Sequence, residues 1–232
     1  MKDHLVVKRA MAVYARKSGI AYKDLTGLRF NNAWGDAARG LAWRVSGHIH
    51  EHHIKSVPQS TGCTARLLWA LLPCMPIKTA LAYVEAYWYS HRNETRYSYP
   101  EHSALRMACQ LMPGVAPWTD CSGMIRCMWW QLNEACERLG FKHIWPDPAG
   151  AGYGVWGNSE SFIVQGKKNG KVVRLGAEQH GDIACYTGGV GHAELVTKRG
   201  TVLTNGNDAG PYYKGIAQHS GKLTIVRLAP FV

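Results

Sequence analysis

Residues 119–135 read TDCSGMIRCMWWQLNEA, and the fold turns on how this stretch is taken. Met124, Ile125, Met128, Leu132, Ala135 and Leu139 recur at i, i+3 and i+4 spacing, which predicts an amphipathic helix with Gly140 as its terminator. Cys121 stands at the start of that helix. Unpaired N–H groups and the helix macrodipole favour negative charge there, so a thiol in that place is expected to ionise more easily than usual. Cys127 and Cys136 fall inside the same helix and Cys185 inside a strand pattern, so none of them shares the placement. A cysteine ahead of a helix is nevertheless more often a packing residue than a nucleophile.

Beyond this helix the pattern changes. After a glycine-rich stretch at 149–157, KVVRLG, GDIACYTG, HAELVTKRG, TVLTNG and LTIVRLA are short, β-branched and bounded by Gly or Asn, as antiparallel strands are. Before it, TALAYVEAYWYSH reads as a helix. The preceding PCMPIK carries two prolines that disfavour continued helix. Residues 1–75 read as three short helices, LVVKRAMAVYARKSG, one from about Asp36, and CTARLLWALL. The expected organisation is a helical domain over 1–75 and an α+β domain over 76–232 whose antiparallel sheet packs on the helix that carries Cys121.

Composition narrows the function classes. With 46% hydrophobic residues and nine tryptophans among 232, the chain is too apolar for a solvated tail, yet charge interrupts every run long enough to span a bilayer. The N-terminal residues lack the unbroken apolar stretch of a signal peptide, so synthesis in the cytoplasm is expected. A net charge of +11 favours a polyanionic partner such as nucleic acid, an anionic membrane or a cell wall. The charges are scattered, and GKKNGK at 166–171 reads as a solvated turn rather than a nucleic-acid patch. Seven cysteines form no CxxC pair, which argues against a zinc ribbon and for reduced, buried thiols. In HIHEHHIK, the position four after His50 is Ile54, so the His-Glu-x-x-His zinc motif is absent. His48, His50, His52 and His53 read as a solvated helical face; neither a metal nor a cofactor is expected.

A cysteine nucleophile needs a base, and the base needs a group that fixes its tautomer. His192 follows the tight turn GGVG and begins the strand HAELV. The next strand ends at TVLTNGND, where the Asn205 amide oxygen is placed to accept the second imidazole proton. Taken alone, His192 reads as a turn residue and Asn205 before Gly206 as a hairpin turn. Their order along the chain, Cys on a helix and then His and Asn on neighbouring strands, is the papain-like one.

TDCSGMI resembles the DCSG motif of NlpC-type cell-wall peptidases, and GDIACYTGGVGHAELV is similar to their GD…GHV strand pair, over roughly residues 80–232. PDPAGAGYGVWGNSESF and LTNGNDAGPYY resemble stretches in lysis enzymes of bacteriophages that infect actinobacteria. The resemblance implies a papain-like, NlpC-type fold with Cys121 as nucleophile and His192 as base. The family's third residue is commonly a histidine one strand on; here Asn205, or Thr204 in its place, occupies that neighbourhood. It further implies that Asp120 and Ser122 contact the free amine of a stem peptide, though Asp120 equally suits the electrostatics of a helix start. Tyr97 is implied as the tyrosine lining the site, with Tyr99 close by. Residues 29–73 are similar to a three-helix peptidoglycan-binding module. The implied protein is a monomeric endolysin acting on bacterial peptidoglycan without a cofactor. It would bind no nucleic acid, make no stable membrane association, and be held in the host cytoplasm until lysis. A CHAP-type muramoyl-alanine amidase and a catalytically silent wall-binding or virion protein are the alternatives.

Overall fold

A computed structural model describes residues 72, 77–98, 115–138, 145–152, 157–189, 191–216 and 221–232. The helical module expected over 1–75, with its histidine cluster, lies outside the described residues apart from Leu72. The chain divides into two compact units, residues 1–86 with 135–142, and residues 87–134 with 143–232. In the first, Ala80, Leu81 and Val84 form a buried stripe at helical spacing. The second carries the sheet and every side chain of the candidate site.

Three α-helices, a short 3-10 helix (Arg92–Glu94) and eight strands make up the described elements: α1 (Ile77–Ser90), β1 (Arg96–Tyr97), β2 (Trp118–Thr119), α2 (Cys121–Arg138), α3 (Ser159–Asn169), β3 (Lys171–Val173), β4 (Ile183–Thr187), β5 (His192–Lys198), β6 (Thr201–Thr204), β7 (Tyr212–Gly215) and β8 (Lys222–Arg227). The architecture is α+β. β1 and β2 form a short parallel pair, and the other six strands form one antiparallel sheet in the order β3-β8-β4-β5-β6-β7. The β-branched runs produce the strands expected of them. Their central members do not alternate between buried and exposed, because β4 and most of β5 are buried on both faces. One face gathers Val173, Ala184, Tyr186, Val196, Val202, Ile216 and Ile225 into a core cluster. Ile183, Cys185, Leu195, Leu203 and Val226 occupy alternate positions and are fully buried too.

Helix α2 begins at Cys121 as expected, and Met124, Ile125, Met128, Leu132 and Ala135 are buried. Its polar residues Ser122, Arg126, Gln131 and Asn133 are buried as well, which an amphipathic reading does not anticipate. Arg126 is 4% exposed and makes a bidentate pair with Asp147, at 3.0 and 2.8 Å, that ties the 145–152 loop to the helix. Gln131 accepts the Trp88 indole N–H at 2.9 Å.

GKKNGK is not a solvated turn: residues 166–169 are the last part of α3. Asn158 caps this helix, its side chain accepting from the Ser161 N–H while the Ser161 hydroxyl takes the Asn158 N–H, and Lys167 and Lys168 sit favourably at the C-terminal end. Gly166 is buried at the sheet. A Cβ there would stand 2.4 Å from a Val226 methyl, so only glycine lets α3 lie this close to β8.

Candidate active site

Asp120 is the N-cap of α2. Its Oδ1 accepts the Gly123 N–H at 2.5 Å and the Ser122 hydroxyl at 3.1 Å, satisfying a donor that the first turn leaves open. The electrostatic alternative for Asp120 is thus present in the structure, and Ser122 is engaged with it. Burial, the largest influence, raises the Asp120 carboxyl above its ordinary range, while the bonds from Gly123 and Ser122 and the charges of Arg126 and His192 pull it back.

Cys121 follows as the first residue of α2 and is 4% exposed. Burial first, and the Asp120 carboxylate second, push its thiol up to about 12, against the downward pull of the N–H groups of Ala193, Ser122 and Cys121 itself. The expectation of an easily ionised thiol therefore fails, because loss of water outweighs the helix start. At neutral pH this sulfur is a protonated thiol. The Ala193 contact matters for topology: it brings the head of α2 to β5 at the residue after His192.

His192 opens β5, paired with Tyr186 across the ladder. Its Nε2 lies 2.8 Å from the Thr204 hydroxyl and 3.2 Å from Glu194 Oε1. Asn205 does not accept the imidazole proton. Its Nδ2 donates to the Thr119 carbonyl at 2.8 Å, and its fully buried Oδ1 has no hydrogen-bond partner. The physical reason is the pleat. Leu195 pairs with Leu203, so one step along Glu194 stands opposite Thr204, and His192, two residues earlier, shares their face. Asn205 falls on the other side and holds the segment leading to Cys121. The Thr119 carbonyl also accepts the Ser98 N–H at 3.3 Å, so two elements fix the approach to Cys121.

Glu194 and Lys214 escaped the sequence reading. Glu194 is fully buried, takes Lys214 Nζ on Oε1 at 2.7 Å, and accepts the Tyr186 hydroxyl on Oε2 at 3.0 Å; that hydroxyl also meets the Ile216 carbonyl. Burial works to raise the Glu194 carboxyl, but hydrogen bonds and charge from His192 and Lys214 outweigh it and hold it below its ordinary value. The i, i+2 spacing from His192 was the available signal.

Tyr97 sits in β1 opposite Thr119, two residues before Cys121. With Arg96, Ser98, Trp118 and Asp208 it lines an open cleft of about 410 Å³. Tyr99 lies outside the described residues. Of the tryptophans, Trp118 is 43% exposed at this cleft, whereas Trp129 is fully buried edge-on against Trp145. Among the described residues Cys121 and Cys185 are free thiols, and no group of three side chains is arranged to hold a metal ion. No described helix is long and apolar enough to cross a membrane. Neither protein-family models nor curated proteins give a match to the chain.

Proposed function

We propose that the chain is an NlpC-type, papain-like cysteine peptidase that hydrolyses amide bonds in the peptide part of bacterial peptidoglycan, serving as a bacteriophage endolysin. The observation that carries this reading is the meeting of a helix-initial cysteine with the strand that begins at His192, whose Nε2 is anchored by Thr204. In this reading Thr204 takes the place expected of Asn205. Asn205 serves by holding Thr119, and through it the nucleophile's approach.

The thiol's high pKa dictates the order of events. Cys121 gives its proton to the His192 imidazole as its sulfur attacks the amide carbon, rather than waiting as a thiolate. Negative charge forms on the carbonyl oxygen, where backbone N–H groups at the α2 start can meet it. The C–N bond then breaks, His192 passes the proton to the leaving amine, and a thioester remains on Cys121. Water, deprotonated by His192, adds to the thioester and releases the carboxylic acid and the free thiol. The cleft with Tyr97, Arg96 and Trp118 supplies a surface for the peptide beside the attack point. The +11 charge suits an anionic wall.

A silent wall-binding or virion structural protein is the second reading, favoured by the 4% exposure of Cys121. Turbidity loss of purified actinobacterial peptidoglycan separates the two. Cys121→Ala is expected to lower the clearing rate by about a thousandfold or more while wall binding and fold persist, and Cys127→Ala to clear as wild type does. Clearing by Cys121→Ala at the wild-type rate would overturn the peptidase reading.

A further inference from the structure

Glu194 and Lys214 form an ion pair at a fully buried carboxylate on the sheet face that also carries an apolar core cluster. Each such ion loses several kcal/mol of hydration, so the pair is poorly explained as a stabiliser of the fold. Its position is specific: Lys214 Nζ and His192 Nε2 share one oxygen, Glu194 Oε1, at 2.7 and 3.2 Å.

We propose that Glu194, itself held by Lys214, is a positioning residue for His192 that fixes the tautomer with the proton on Nε2. This rests on the peptidase reading of Cys121 and His192. A neutral ring with its proton on Nδ1 would turn the Nε2 lone pair toward a carboxylate oxygen, which is repulsive. With the proton on Nε2 the same contact is a hydrogen bond, and the Nδ1 lone pair is the one left to take the thiol proton. The Lys214 ammonium on the same oxygen keeps Glu194 ionised, so the carboxylate stays an acceptor for the Nε2 proton.

The other groups that bear on the ring support this arrangement. The Tyr186 hydroxyl, from β4, is pushed above its ordinary range by burial and then by Glu194, and it stays neutral while donating to Glu194. Thr204, from β6, is uncharged and follows the proton. Asp120, ahead of α2, interacts electrostatically with His192 from the nucleophile side, and the Cys121 thiol beside it is neutral. Glu194 remains ionised, since His192 and Lys214 hold its carboxyl low in spite of burial.

The test uses the full chain with ¹⁵N-labelled histidine, comparing wild type and Glu194→Gln by imidazole NMR across pH. The neutral wild-type ring is expected to carry its proton on Nε2, and Glu194→Gln to lose that preference. A role in folding alone predicts the same tautomer in wild type and in folded Glu194→Gln. A wild-type ring protonated on Nδ1, or a folded Glu194→Gln ring that keeps the wild-type tautomer, would overturn the proposal. If Glu194→Gln fails to fold by circular dichroism, the wild-type tautomer decides by itself. Peptidoglycan clearing by the same samples keeps the two readings apart: wild type that clears nothing while the tautomers are as expected supports the pair and overturns only the peptidase assignment.

Discussion

At the head of α2, Asp120 and Cys121 are buried among N–H donors and a hydroxyl, and burial raises both groups. At the β5–β7 end of the site Glu194 is buried more deeply, yet its carboxyl is held low because two cationic or cation-forming partners share it. At Asp120 the donors and the charges of Arg126 and His192 compensate desolvation only in part; at Glu194 the Lys214 ion pair together with His192 reverses it. One region is therefore biased toward its protonated forms and the other toward its charge.

The strongest way to break this contrast is to remove the charge. Glu194→Ala leaves the Lys214 ammonium buried without its partner and is expected to destabilise the fold by about 3–5 kcal/mol, read from urea unfolding at pH 7. The pH dependence carries opposite signs for the two regions. The folded-state value of Glu194 is depressed, so its contribution is complete above the unfolded carboxyl range and is lost as pH falls through the folded value. That of Asp120 is raised, so protonation favours the fold, and stability declines as pH rises from the unfolded range through the raised value. Glu194→Gln should accordingly flatten the acid loss of stability, and Asp120→Asn should remove the decline on the other side. Unfolding midpoints for both variants between pH 3 and 7 check these signs; equal slopes in the two variants would erase the distinction.

A middle-sized effect sharpens the nucleophile side. Asp120→Ala removes a helix cap worth about 1 kcal/mol and also the carboxylate that helps raise the Cys121 thiol. The variant should be less stable yet alkylate faster with iodoacetamide at pH 8, read by mass spectrometry of the Cys121 peptide. Unchanged alkylation would mean that burial alone governs this sulfur. The smallest expected change is at Trp118, exposed at the cleft: Trp118→Ala should alter stability by less than about 0.5 kcal/mol while raising the substrate concentration needed for half-maximal clearing.

The strands β4, β5, β6 and β8 and the helix that opens at Cys121 were legible because apolar and β-branched spacing is a local property of the chain. Helix α3 was not. Its residues SESFIVQGKKN include a glycine and a basic-polar end that locally spell a turn, and the Asn158 cap and the fit of Gly166 against Val226 override them. β7 is only YYKG, too short to announce itself, and it exists by pairing with β6. In the site, the placements of Cys121 and His192 could be read from order and turn signals. The exchange of Asn205 for Thr204 could not, since it depends on which face of the pleat each residue takes. Glu194 lay two residues from His192 in plain view, but an acidic residue in a strand gives no sign of its own that it will be buried.

The bond from Asn205 to the Thr119 carbonyl joins residues 86 positions apart in sequence. Such a contact closes only after the intervening segments have found their places, since long loops disfavour early encounter. A nascent chain released as far as α2 holds the thiol but has no β6 against which to seat it. The seating of Cys121 is consequently a property of the finished molecule, separate in time from its synthesis.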